Sequence, residues 1–79
     1  MNLQDSFLNQ ARLKKISLTA YLTGGHQVRG LLKGFDQFSL LIDSDKGQIL
    51  VYKHAVSSIV PASEIDVFAG GGQSEDSGK

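Results

Sequence analysis

A chain of 79 residues with no cysteine has room for one small domain and no disulfide to stabilise it, and its two histidines, His26 and His54, stand in no ligand-rich cluster that would bind zinc. Self-association is the remaining way to complete so small a core. The formal net charge is zero, which by itself argues against a nucleic-acid binder, but through Pro61 seven bases face four acids, and from Ala62 onward four acids face only Lys79.

Leu3, Phe7, Leu8 and Ala11 fall on one face of a helix spanning 3–14, with Gln4, Asp5, Asn9, Arg12 and Lys15 on the other. The acid comes early and the bases late, as the helix dipole favours. The polar residues interspersed through 1–15 leave no unbroken apolar stretch for a signal-peptide core or a bilayer span. A cytoplasmic protein with no membrane partner is expected.

After Lys15 the period changes to two. Ile16, Leu18, Ala20 and Leu22 alternate with Ser17, Thr19, Tyr21 and Thr23, the pattern of a half-buried strand, and Gly24-Gly25 suits a tight hairpin turn. A second strand is predicted over Gln27–Phe35 with Val28 and Leu32 inward, and with Gly30 and Gly34 where a sheet bends or another backbone comes close. Asp36-Gln37 reads as a turn, Phe38–Asp43 as a third strand, Ser44–Gly47 as a polar turn and Gln48–Tyr52 as a fourth strand. Lys53-His54-Ala55 interrupts the pattern before a fifth strand, Val56–Val60, which Pro61 ends. One helix followed by five short strands is the outline of a small, strongly bent antiparallel barrel. Residues 1–61 form the expected domain. Residues 62–79 are an acidic tail, Gly- and Ser-rich from Ala69 on and expected to be largely disordered.

This outline offers no serine, histidine and acid in a relay, and the Gly70-Gly71-Gly72 run lacks the context of a phosphate loop. Neither an enzyme nor a cofactor is expected. The notable cluster is Tyr52-Lys53-His54, in a short connection where exposed polar residues more often bind than pack. A lone histidine is more often a residue satisfied by backbone, but a tyrosine, a cation and an imidazole in sequence offer stacking, phosphate attraction and hydrogen bonding, which suit single-stranded RNA.

Tyr52-Lys53-His54-Ala55-Val56-Ser57 is similar to the signature of the bacterial Hfq family of Sm-like RNA-binding proteins. Phe35-Asp36-Gln37-Phe38 with Ser39-Leu40-Leu41 resembles the first half of that family's Sm motif, and Leu3-Gln4-Asp5 with Phe7-Leu8-Asn9 resembles its N-terminal helix. The resemblance covers about Leu3 to Pro61. It implies an Sm-like barrel assembled as a homohexameric ring in which edge strands of neighbours pair, with Tyr52 helping to join subunits. On the helix-bearing, proximal face it implies that Gln4, Gln37, Phe38, Lys53 and His54 hold U-rich RNA, Phe38 as a stacking platform. On the distal face it implies A-rich RNA at Tyr21, at Gly25, His26, Gln27, Val28 and Arg29, and less surely at Gln48 and Ser58. At the rim it implies that Arg12, Lys14 and Lys15 assist annealing, so that small regulatory RNA and messenger RNA are the partners of an RNA chaperone.

The residues alone leave some of these roles open. Phe38 at a strand start is core about as often as platform, Gln37 in a turn can be merely solvated, and bases at a helix end suit the dipole without any RNA. His26, Gln27 and Arg29 depart from the family's commonest aliphatic, lysine and glutamine, which leaves the distal repeat open. Leu13 stands where the rim usually has a base, and lysines replace arginines; weaker annealing is expected because lysine lacks the planar fork. The competing readings are an Sm-like protein of other RNA specificity and a structural barrel that binds proteins.

Overall fold

Asn2 starts the helix. Its side-chain oxygen accepts a hydrogen bond from the Asp5 backbone N–H at 2.8 Å, and α1 runs from Leu3 to Leu13 in the computed structural model, which describes residues 2–67. Leu8 and Ala11 are buried and Phe7 packs on the core, while Leu3 at the same stripe's end remains 65% exposed. The helix stops one residue short of the expected Lys14. There the Lys15 N–H bonds the Arg12 carbonyl at 3.3 Å and the Ile16 N–H reaches back to Ala11 at 3.0 Å, closing the end with Lys15 at φ +54°. A left-handed conformation costs a residue with a β-carbon about 1–2 kcal/mol, so the cap that glycine usually provides is made here by a lysine at some expense.

The five strands are β1 (Ser17–Leu22), β2 (Gln27–Phe35), β3 (Ser39–Ser44), β4 (Gly47–Tyr52) and β5 (Val56–Pro61). All pair antiparallel in the order β4-β3-β2-β1-β5, which leaves β4 and β5 as edges. Four strand limits differ from expectation by one residue each: β3 ends at Ser44 rather than Asp43, β4 begins at Gly47 rather than Gln48, and a turn and a ladder claim the residues at the other two. Phe38 belongs to the turn before β3, and Pro61 is the last residue of β5 rather than the first beyond it. Between β1 and β2, Gly24 and Gly25 take φ +93° and +92°, and the Leu22 N–H bonds the His26 carbonyl at 2.8 Å to close the hairpin.

Two irregularities bend the sheet. The β1–β5 register shifts between Tyr21 and Leu22, and the β2–β3 register shifts between Leu32 and Gly34. Such shifts kink a strand and increase its twist, which lets the sheet curl around its own side chains. Leu18, Ala20, Leu32, Leu40, Ile42 and Val51 fill the inside, and α1 adds Leu8 and Ala11. Gly30 has the close approach the sequence suggested, since a β-carbon there would strike the Asp43 backbone. Gly34 has open space around it and its place beside the register shift marks the bend instead.

Gln10 was legible only as a helix residue, yet it is 7% exposed among the core side chains. Beyond Pro61 the Ala62 N–H still bonds the Ser17 carbonyl at 2.8 Å, and Ile65 packs against the core. Of the tail expected over residues 62–79, residues 68–79 lie outside the described residues. No helix among the described residues is long and apolar enough to cross a membrane.

Candidate nucleic-acid interface

The Asp36 carboxylate organises the turn between β2 and β3. One oxygen, Oδ1, accepts from the Phe38 N–H, the Ser39 N–H and the Ser39 hydroxyl, each at 2.8 Å, and the Asp36 N–H donates to the Ser39 carbonyl at 3.0 Å. These bonds stop the chain from entering β3 before Ser39 and turn Phe38 outward, 69% exposed. The Lys53 N–H then bonds the Phe38 carbonyl at 2.8 Å, which fixes the Tyr52-Lys53-His54 connection against this turn. The Lys53-His54-Ala55 interruption is itself a single 3₁₀ turn, tied to the first hairpin by the Thr23 N–H on the Ala55 carbonyl at 2.8 Å.

Through that bond the proximal residues converge. Gln4 from α1, Gln37 from the turn and Lys53 line one cleft of about 320 Å³, together with Asn2, Asp5, Phe35 and Asp36. The Lys53 ammonium sits 5.6 Å from the centroid of the Phe35 ring, a cation–π contact that steadies the charge without neutralising it. Phe35, Asp36 and Asn2 were not among the expected site residues. A carboxylate three residues before a serine is a turn signal, and an asparagine three residues before Asp5 is a capping signal, so two of the three had a readable cause. His54 is exposed beside the cleft and stacks on Tyr52, centroids 5.9 Å apart and planes at 22°.

Three hydrogen bonds to one carboxylate oxygen lower the Asp36 pKa below its ordinary 3.8; the Phe38 N–H contributes most, then the Ser39 hydroxyl and N–H, and last Lys53, with desolvation opposing. A lowered folded pKa makes the contribution of Asp36 to stability full above the ordinary value. It is lost as the pH falls through the folded value. Asp36→Ala should therefore melt at a lower temperature than the wild type near neutral pH, and the gap should narrow as the pH falls through the lowered value. Parallel melts from neutral to acid pH check this, and a pH-independent gap would show that the carboxylate's charge is not what matters.

A second set lies on the sheet face turned away from the core. Register places Gln27 opposite Tyr21 and Tyr21 opposite Ser58, and one row further along it places Arg29 opposite Thr19 and Thr19 opposite Val60. Tyr21 is 42% exposed there. Gly25 and His26 stand exposed in the adjoining hairpin turn. Val28 does not join them, because it pairs with Ala20 and packs toward the core, so only its backbone is available to that surface. Gln48 is exposed on β4, three strands from β1, and a single subunit does not bring it to Tyr21. Arg12, Lys14 and Lys15 are all exposed around the end of α1, with the Arg12 guanidinium donating to Asn9 Oδ1 at 2.8 Å.

The family model for Hfq protein matches residues 3–66, which include the helix, all five strands and both surfaces. The chain belongs to the Hfq family. RNA-binding protein Hfq of Ruminiclostridium cellulolyticum is 52% identical over 67 residues, 85% of this chain and 84% of that protein. RNA-binding protein Hfq of Clostridium botulinum strain Hall is 53% identical over 64 residues, 81% of this chain and 75% of that one. A 1.55 Å crystal structure of the pleiotropic translational regulator Hfq superposes with a TM-score of 0.72 at 29% identity, covering 75% of this chain and 98% of its own. The Hfq family is one of RNA-binding proteins, not of enzymes, and the helix followed by a bent five-stranded antiparallel sheet is its Sm-like fold.

Proposed function

We propose that the chain forms a homohexameric ring that binds U-rich RNA on the proximal face and A-rich RNA on the distal face, bringing small regulatory RNA and messenger RNA together as a cytoplasmic RNA chaperone. The observation that carries this reading is the convergence of Gln4, Gln37 and Lys53 on one cleft, with the exposed Phe38 ring next to Gln37. An exposed aromatic ring stacks a base, a cation attracts the phosphate, and carboxamides read base or sugar edges. His54 adds a hydrogen-bonding group beside them.

The sheet edges support the ring. β4 and β5 each leave one edge unpaired within the subunit and carry exposed Leu50, Tyr52 and Val60, apolar surface of the kind an isolated edge must cover. Pairing β4 of one subunit with β5 of the next is a heterologous contact that closes into a ring, with Tyr52 at the junction. It repeats Lys53 around a central opening, which concentrates positive potential although the chain is neutral. It also supplies a neighbour's Gln48 to the distal surface. Residues 1–61 form the ring domain in this reading, residues 62–79 are its acidic tail, and Arg12, Lys14 and Lys15 face RNA at the rim.

Native mass spectrometry together with filter binding of U-rich and A-rich oligonucleotides at 150 mM salt tests the proposal. Six subunits per particle and non-competing binding of the two oligonucleotides are expected. A monomer, or a ring to which both strands bind in competition, would refute it.

A further inference from the structure

One cation and two carboxylates line the proximal cleft, so the charge it presents depends on where a flexible side chain comes to rest. Lys53 is the only base among the described residues of that lining, beside Asp5 and Asp36. Its backbone is fixed by the bond from its N–H to the Phe38 carbonyl at 2.8 Å, but its ammonium rides on a four-carbon stem and can turn to several partners. Among the described residues it forms no ion pair with either acid, and it rests 5.6 Å from the centroid of the Phe35 ring instead. Asp36 agrees with this placement. Its pKa is lowered chiefly by the Phe38 N–H, and Lys53 comes last among the causes, as suits a charge standing apart from the carboxylate.

We propose that Phe35 is a positioning residue for RNA on the proximal face: its ring holds the Lys53 ammonium clear of the cleft's own acids, so that the charge stays available to a phosphate. The inference rests on the proposed U-rich binding at this face and deepens it. A partly exposed ion pair and a cation over an aromatic face are worth similar, small amounts, so a single ring is enough to decide where the ammonium stands. Paired with Asp5 or Asp36, it would be neutralised within the subunit. The ring itself is anchored, half-buried against the core, with its backbone paired to Leu40 of β3. Asp36 is also partly committed, because its Oδ1 already accepts three hydrogen bonds from the turn.

Fluorescence anisotropy on the full chain with a U-rich oligonucleotide, over a range of salt concentrations, tests this. F35L removes the aromatic face but also core packing, so the deciding variant replaces Phe35 with a ring-trifluorinated phenylalanine. That residue keeps the ring's shape and withdraws the negative charge from its face, where the attraction for a cation originates. It should weaken binding about threefold and F35L about fivefold, while F35Y, which keeps the aromatic face, should stay within about twofold of the wild type. In the two weakened variants the dependence on salt should flatten toward that of K53A, because a phosphate loses its cation. On a K53A background the fluorinated ring should have no further effect, a coupling that altered packing would not produce.

Wild-type affinity in the fluorinated variant, with binding weakened in K53A, would overturn the positioning role and leave RNA binding at this face intact. A loss that persists on the K53A background would overturn it as well, since the ring would then act without Lys53. U-rich affinity unchanged in both K53A and F38A would overturn it together with the reading of the face on which it rests.

Discussion

Phe38→Ala is expected to lower affinity for a U-rich oligonucleotide at least tenfold while leaving affinity for an A-rich one within twofold. The side chain is 69% exposed and outside the core cluster, so its removal leaves no cavity. Its backbone holds the turn by donating to Asp36 and accepting from Lys53, and alanine retains both bonds. The substitution therefore isolates the ring. Stacking of a base on an aromatic side chain is worth about 1–3 kcal/mol by alanine substitution, and a factor of ten in affinity corresponds to about 1.4 kcal/mol. Phe38→Tyr should restore most of the affinity, because the stacking face is preserved. Lys53→Ala should weaken the same RNA through charge and flatten the dependence of affinity on salt. Titration of the variants with both oligonucleotides distinguishes these effects. An unchanged U-rich affinity in Phe38→Ala would remove the stacking role, and an equal fall for both RNAs would point to a damaged ring.

What the sequence allowed to be read depended on whether the deciding interaction was local. The helix face, the alternation of β1 and the turn at Gly24-Gly25 are set by neighbours in the chain, and each is found where the periods place it. Phe38 was balanced between core and platform because composition does not settle that choice. The Asp36 oxygen keeps the ring out of the core by capturing the Phe38 and Ser39 amides and delaying the strand by one residue. Val28 shows two kinds of inference diverging. Alternation placed it inward while family resemblance placed it on the RNA surface, and its side chain lies against the core. Phe35 and Gln10 were missed for a different reason. The ring of Phe35 acquires its role only when Lys53 folds over it from a distant part of the chain, and the burial of Gln10 depends on how the helix rolls onto the sheet. Neither leaves a local trace.

Gly30→Ala is expected to be the most damaging single-methyl change in the domain. The added β-carbon would meet the Asp43 carbonyl oxygen, with the Asp43 carbonyl carbon at 2.8 Å and the Ser44 α-carbon at 2.9 Å. These are backbone atoms, so no side-chain rotation relieves the clash. They are also held from the other side, where Asp43 pairs with Gln48 and Ser44 with Gly47, so β3 cannot retreat without displacing β4. Overpacking of this kind costs about 1–3 kcal/mol, a large share of the stability available to so small a domain. Gly34→Ala is the matched control: its β-carbon meets nothing within 4 Å and its backbone is not left-handed, so it should be neutral or slightly stabilising. The damage should also exceed the local clash, because β4 is the edge proposed to pair with the next subunit. Urea unfolding at several protein concentrations should therefore show a lower midpoint for Gly30→Ala and a steeper dependence of that midpoint on concentration. A wild-type midpoint, or a greater loss in Gly34→Ala, would mean that β3 gives way more easily than its paired backbone implies.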